Sequence, residues 1–426
     1  MVELTAWTRP IEARIAVPGD KSLTHRGILF SAIAEGEMVL EHWLDAADTR
    51  ASLALVQALG VEVREASPER LALVRPPRLR EATAPVNCAN SGTTMRLGAG
   101  IAAGVDGLTI LTGDTSLSRR PMARIIDPLR TMGVTVLSRQ SGLAPLAIAG
   151  GQHRGGTFTL SVASAQVKSS LLLAGLTAEE PVRVIEPALS RDHTERLIEA
   201  MGGRIERQGL SVTLTPGRLD AMAFRVPGDP SSGAFWAALA AISENRQIVV
   251  ESMLFNPTRT GFYRLLAQMG AVVQWETVSD MPEPWGHVTV RGKVHHAVTV
   301  EGEDIPQMID EVPLVALLAT QCAGQTIVRG AEELRVKESD RIRVTGEILR
   351  AMGAQVEELP DGWIVEGPTR LHGAEVDAQG DHRMAMLAAV AATIADGVVR
   401  LRGEDAVSIS YPEFFGQYGA MRDNST

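Results

Sequence analysis

One pattern recurs along the 426 residues and constrains the fold more than any single motif: a helix end, then glycine, then a β-rich run. The copies are Leu59-Gly60-Val61, Met132-Gly133-Val134, Met201-Gly202, Met269-Gly270 and Met352-Gly353, with a frayed sixth at Gly419-Ala420-Met421. Their glycines are 73, 69, 68, 83 and 66 residues apart, so the chain divides into six units of comparable length. Glycine fits the left-handed position that ends a helix, and the β-branched residues after it predict a strand.

A second helix set keeps the same rhythm. These helices are Ala-rich and apolar nearly all round, as buried helices must be, and begin near Ser22, Ser91, Ala165, Ser232, Ile309 and His382. Each unit therefore reads as buried helix, strand, amphipathic helix, strand or hairpin. The expected class is α/β, in two similar lobes of three βαβαββ-type units; a solenoid would use shorter repeats. An echo marks the boundary: Val17-Pro18-Gly19-Asp20-Lys21-Ser22 against Val226-Pro227-Gly228-Asp229-Pro230-Ser231-Ser232. Pro-Gly turns the chain and Asp or Ser caps the helix that follows. The expected lobes are residues 15–226 and residues 1–14 with 227–426, hinged near 17–19 and 226–228.

A chain that is 45% hydrophobic and 22% charged can bury a large core. Its formal charge of −10, with no Lys/Arg-rich block, argues against nucleic acid or an anionic membrane as partner, so any anion site must be local. Cys88 and Cys322 lie far apart without ligand-spaced neighbours, which predicts core thiols and no zinc. Met1-Val2-Glu3-Leu4 does not read as a signal peptide and no apolar run reaches a membrane span, so a cytoplasmic location is expected.

The polar residues of the buried helices gather at their first turns: Lys21, Ser22 and Arg26; Asn90, Ser91 and Arg96; Ser164, Gln166 and Lys168; Ser231 and Ser232; Asp310 and Glu311; Asp381, His382 and Arg383. Any one Ser, Asn or Asp there is first a cap. Cations are different, because they oppose the helix macrodipole and call for an anion between them and the N–H groups. Lys21, Arg26 and Arg383 make that case. The amphipathic helices have charged leaders too: Ser118-Arg119-Arg120-Pro121-Met122, Ser190–Glu195, Asn256-Pro257-Thr258-Arg259 and Arg335–Arg341. Recurring in register, they point to one assembled site.

Across essentially the whole chain the sequence resembles the 5-enolpyruvylshikimate-3-phosphate synthases. The motifs are Pro18-Gly19-Asp20-Lys21-Ser22, Asn90-Ser91-Gly92-Thr93, Arg120-Pro121-Met122, Arg335-Val336-Lys337-Glu338-Ser339-Asp340-Arg341 and Asp381-His382-Arg383-Met384-Ala385-Met386. Each is weak alone, and five in order are specific. Gly19-Asp20-Lys21, Ser164-Ala165-Gln166-Val167-Lys168, Arg191–Glu195 and Asn256–Arg259 are similar to the class II bacterial branch. There are two departures. Gly92 stands where glyphosate-tolerant class II enzymes carry Ala, and Ile409 where class I enzymes place a basic residue near phosphoenolpyruvate.

The resemblance implies the inside-out barrel fold of the enolpyruvyl transferases and an addition–elimination reaction. C3 of phosphoenolpyruvate is protonated while the 5-hydroxyl of shikimate 3-phosphate attacks C2, and the intermediate then loses phosphate. Such chemistry needs a proton shuttle and a cation cage, with neither metal nor redox cofactor. The resemblance implies shikimate 3-phosphate at Lys21, Ser22, Arg26, Ser164, Ala165, Gln166, Arg191, Asp310 and Lys337. It implies phosphoenolpyruvate at Lys21, Gly92, Arg120, Gln166, Arg341 and Arg383, with His382 adjacent. Asp310 is the implied base on the hydroxyl, and Lys21 and Glu338 are candidates for the other protons.

Charge offers an independent test. The two substrates together carry roughly −5 to −6. Seven cations (Lys21, Arg26, Arg120, Arg191, Lys337, Arg341, Arg383) against Asp310 and Glu338 give +5. Repulsion among them predicts an open unliganded form that closes on binding anions, with a smaller radius of gyration in scattering. The chain is expected to be a monomer. Three rivals are weaker. A UDP-N-acetylglucosamine enolpyruvyl transferase would carry Asn after the first Lys and usually a Cys before Arg-Pro, whereas Ser22 follows Lys21 and 114–120 holds no Cys. An RNA 3′-phosphate cyclase-like protein would need a basic, stacking surface, and an inert anion binder would not need Asp310 and Glu338.

Overall fold

The computed structural model describes residues 1–302 and 304–424. Among them, twelve α-helices run in chain order: α1 (Lys21–Phe30), α2 (Ala47–Ala58), α3 (Gly92–Ala103), α4 (Ala123–Thr131), α5 (Ala165–Gly175), α6 (His193–Ala200), α7 (Pro230–Ala241), α8 (Gly261–Gln268), α9 (Val312–Ala319), α10 (Arg341–Ala351), α11 (His382–Ala392) and α12 (Phe414–Asn424). The odd-numbered helices are the buried set; every residue of α7 is buried. By contrast α4, α6, α8 and α10 bury one face. Five buried helices carry a side-chain N-cap, from Asp20, Ser91, Ser164, Asp229 and Asp381. The fourth begins at Pro230, ahead of the expected Ser232. The fifth begins at Val312, past the expected Ile309, with Pro313 in its first turn.

Around each buried helix the strands repeat one pairing. A first strand, at four of the helices the one that precedes it in the chain, lies parallel to the strand after the helix, which in turn pairs antiparallel with a hairpin. Gly156–Thr159, Val182–Ile185, Ser211–Thr215 and Arg204–Gln208 show this order about α5. Four other sheets match it. The sixth differs: Glu375–Asp377 and Val399–Arg402 are parallel, and Val2–Leu4 takes the antiparallel place of the hairpin strand. The N-terminus therefore completes the last copy. Gly60, Gly133, Gly202, Gly270 and Gly353 all have positive φ at helix ends. The frayed sixth signal does not end a helix, because Gly419 lies inside α12 and no strand follows it among the described residues.

The chain forms two compact units, residues 1–18 with 227–426 and residues 19–226. The first crossing falls after Pro18, later than the expected residue 14, because Ile15 and Ala16 still pair with Val250 and Glu251. Both crossings separate a strand from the helix it leads into. Ile11–Ala16 precedes α1 yet lies parallel to Arg246–Leu254, and Ala223–Arg225 precedes α7 yet lies parallel to Glu37–Glu41. Each unit thus receives one strand across the boundary. Within 19–226, α3 and α5 pack closely: a Cβ on Gly100 would fall 2.2 Å from the Ser170 carbonyl oxygen. That contact helps to set their first turns side by side. No described helix is long and apolar enough to cross a membrane, and Cys88 and Cys322 are buried free thiols.

Candidate active site

In the 19–226 unit the starts of α1, α3 and α5 are tied together by side chains. The ammonium of Lys21 donates to Asp48 at 2.6 Å. Asp48 sits at the start of α2, and its backbone oxygen accepts from Thr94 of α3 at 3.4 Å. Gln166, at the start of α5, donates to Thr93 at 2.9 Å and accepts from Arg96. Arg120 donates to Asn90, and a guanidinium nitrogen of Arg120 lies 3.5 Å from where a Cβ on Gly92 would be. Arg191 reaches Ser22 at 3.5 Å. Lys21, Ser22, Ser164, Ala165, Gln166, Arg120 and Arg191 remain half-buried and within reach of solvent. Arg26 does not. It is 3% exposed and donates to Thr194, Ser169 and the Ser22 carbonyl.

Here five cations gather (Lys21, Arg26, Arg96, Arg120, Arg191), with Asp48 accepting from Lys21. Set at helix N-termini, they make a surface suited to phosphate and carboxylate groups. Two of the groups lay outside the sequence-based site. Arg96 was legible as one more cation one turn into a buried helix. Asp48 carried no local signal, since its partner is 27 residues away.

In the other unit the arrangement is acid-rich. Arg341 is 1% exposed and held by three carboxylates: Asp381 at 2.8 Å, Glu338 at 2.6 Å and Asp310 at 3.3 Å. Burial opposes its charge, but Asp381, Glu338 and Asp310 outweigh that and hold it firmly protonated. Asp381 also caps α11, accepting from Arg383 N at 2.9 Å, and accepts from Ser339 at 3.0 Å. Burial would raise its carboxyl, yet Arg341 and then His382 keep it below the ordinary carboxylate range. Asp310 and Glu338 are about one-sixth exposed, at 15% and 17%, and Arg383 lies 3.7 Å from Asp310. Lys337 is half-buried. His382 is 1% exposed, with its ring 3.9 Å from Asp381.

Other motif residues are structural anchors. Arg335 donates to the carbonyls of Leu359 and Pro360, fixing the 335–341 segment to a hairpin. Arg259 joins the α7 cap by donating to Asp229 at 2.9 Å and Ser231 at 3.0 Å. Ile409 is half-buried at the end of a 3-10 turn.

Two compact units of repeated α/β copies with such helix starts define a class. The chain superposes on EPSP synthase from Acinetobacter baumannii with a TM-score of 0.87 at 35% identity, covering 99% of this chain and 97% of that one. It superposes on the enolpyruvyl transferase NikO from Streptomyces tendae with a TM-score of 0.76 at 16% identity, over 98% and 96% of the two chains, a likeness of fold alone. The fold is that of the enolpyruvyl transferases. The profile of EPSP synthase (3-phosphoshikimate 1-carboxyvinyltransferase) matches residues 6–418. Relatives called 3-phosphoshikimate 1-carboxyvinyltransferase include one from Anaeromyxobacter sp. (strain Fw109-5), 46% identical with 95% of each chain covered. Another, from Roseiflexus sp. (strain RS-1), is 45% identical over 94% of this chain and 95% of its own. This chain belongs to the EPSP synthase family.

Proposed function

We propose that the chain transfers the enolpyruvyl group of phosphoenolpyruvate to the 5-hydroxyl of shikimate 3-phosphate and releases phosphate. The observation that carries the reading, beside family membership, is the set of cations at the α1, α3 and α5 starts. Lys21, Ser22, Arg26, Ser164, the Ala165 backbone, Gln166, Arg191, Asp310 and Lys337 would hold shikimate 3-phosphate. Lys21, Gly92, Arg120 and Gln166, with Arg341, Arg383 and the adjacent His382, would hold phosphoenolpyruvate. The burial of Arg341 and His382 gives them a second task, fixing the carboxylates and the α11 start.

In the addition step the 5-hydroxyl oxygen bonds to C2, its proton passes to Asp310, and C3 takes a proton from Lys21 or Glu338. In the elimination step C3 returns a proton, the C2–O bond to phosphate breaks, and the double bond re-forms. Asp310 and Glu338, both paired with Arg341, have their carboxyl groups held in a fixed orientation. The reading includes a cytoplasmic monomer, which gel filtration near 45.6 kDa would support. Incubation with both substrates should release phosphate, and omission of either should abolish release. No release, or release only with UDP-N-acetylglucosamine as acceptor, would overturn the assignment.

A further inference from the structure

The mechanism leaves one buried ion cluster unused. Lys168, one turn into α5, is 2% exposed, and its ammonium lies 2.7 Å from both Glu186 and Glu195, each 1% exposed. Burial works against the Lys168 charge, but Glu195 and Glu186 outweigh it and raise its pKa. The other oxygen of Glu186 accepts from Ser190, the residue before Arg191. Beside the cluster runs a second rung. Ser169 and Thr194, the chain neighbours of Lys168 and Glu195, share a hydrogen bond of 2.7 Å. The Arg26 guanidinium donates to both, at 2.9 Å and 2.8 Å. One core of charges and hydroxyls therefore joins α1, α5, the 186–191 segment and α6.

Such a cluster is poor evidence for stability, since the cost of stripping water from three charges offsets most of their attraction. Its members do share one geometric property. Lys168 lies one turn from Ser164, Ala165 and Gln166, Glu186 reaches Arg191 through Ser190, and Glu195 abuts the hydroxyls that seat Arg26. All are groups assigned above to shikimate 3-phosphate, and Gln166 to phosphoenolpyruvate as well.

We infer that Lys168, Glu186 and Glu195 are positioning residues that fix the shikimate 3-phosphate side of the site. The inference rests on the functional reading above. It also links Ser164–Lys168 to Arg191–Glu195, since Lys168 of the first is the ion partner of Glu195 in the second.

The test compares Lys168→Met and Glu195→Gln with Arg246→Met. Arg246 is a buried cation of the other unit that donates to Leu239 and Thr393, away from the substrate groups, and serves as a control for lost stability. Both cluster variants should raise KM for shikimate 3-phosphate by about ten- to a hundredfold, the scale of small misplacements of binding groups. KM for phosphoenolpyruvate should rise less, because of the groups tied to the cluster only Gln166 is also assigned to that ligand. Calorimetry with shikimate 3-phosphate alone should show the same loss in folded protein. Equal changes in both KM values, tracking the loss of thermal stability as in Arg246→Met, would overturn the inference. Failure of the unaltered chain to bind shikimate 3-phosphate would instead remove the functional reading beneath it.

Discussion

The helix starts of the two units solve opposite electrostatic problems. In residues 19–226 the helix starts and their leaders carry Lys21, Arg26, Arg96, Arg120 and Arg191, with Lys21 donating to Asp48 and Arg191 to the Ser22 hydroxyl. In the other unit one guanidinium, Arg341, is shared by Asp310, Glu338 and Asp381. An excess of cations favours anionic ligands. Carboxylates oriented by a buried arginine, with Asp310 and Glu338 still partly exposed, favour proton transfer. The difference teaches that repeated copies of one architecture can divide binding from proton chemistry by the sign of the residues at the helix starts.

The largest expected effect is on turnover. Asp310→Asn keeps the shape but removes the proton acceptor, and steady-state phosphate release should fall by about 10²–10⁴-fold. A fall under tenfold would break the proton-transfer half of the comparison. Next, Arg341→Met leaves three carboxylates without their shared cation and should cost about 3–5 kcal/mol in a denaturant titration. Adding Asp381→Asn should recover part of that loss, and no recovery would mean that repulsion at the cluster is not the cause.

A smaller effect is expected from Gly92→Ala. The new Cβ would meet Arg96 at 3.0 Å and Arg120 at 3.5 Å, both at the ends of flexible side chains. KM for phosphoenolpyruvate should rise a few-fold while that for shikimate 3-phosphate stays constant; the reverse pattern would relocate the two substrates.

The smallest is a pH effect. Burial first, then Lys21 and Arg26, push the His25 imidazole well below its ordinary value, so it is neutral in the folded chain. Below about pH 6.5 the unfolded chain binds a proton that the folded chain refuses, and stability falls by up to about 1.4 kcal/mol per pH unit from this one group. His25→Asn should make the stability curve shallower between pH 6.5 and 5, and an unchanged slope would contradict the assignment.

Much of this was legible before any coordinates. The period of the glycines and the apolar helices required repeated α/β copies, since each pattern has a local cause: a left-handed turn, or a helix with no polar face. What depended on distant pairing was hidden. Gly419 looked like a helix end, but the sixth copy borrows Val2–Leu4 in place of its own hairpin strand. Lys168 read as one more polar group at a helix start, yet it is buried against carboxylates 18 and 27 residues on. Arg341 read as a ligand holder by its motif, and its burial beneath three acids is set by Asp310 and Asp381, 31 and 40 residues away. Charge can be counted in a sequence, but which charge is consumed by a partner cannot.

The division of labour is tested most directly by Glu338→Gln, with shikimate 3-phosphate binding measured by calorimetry beside phosphate release on the same sample. The account predicts turnover lower by about 10²–10⁴-fold with the dissociation constant within about threefold of the unaltered chain. A dissociation constant that weakens in step with turnover would show that the acid-rich cluster is a binding element, and the comparison of the two units would fail.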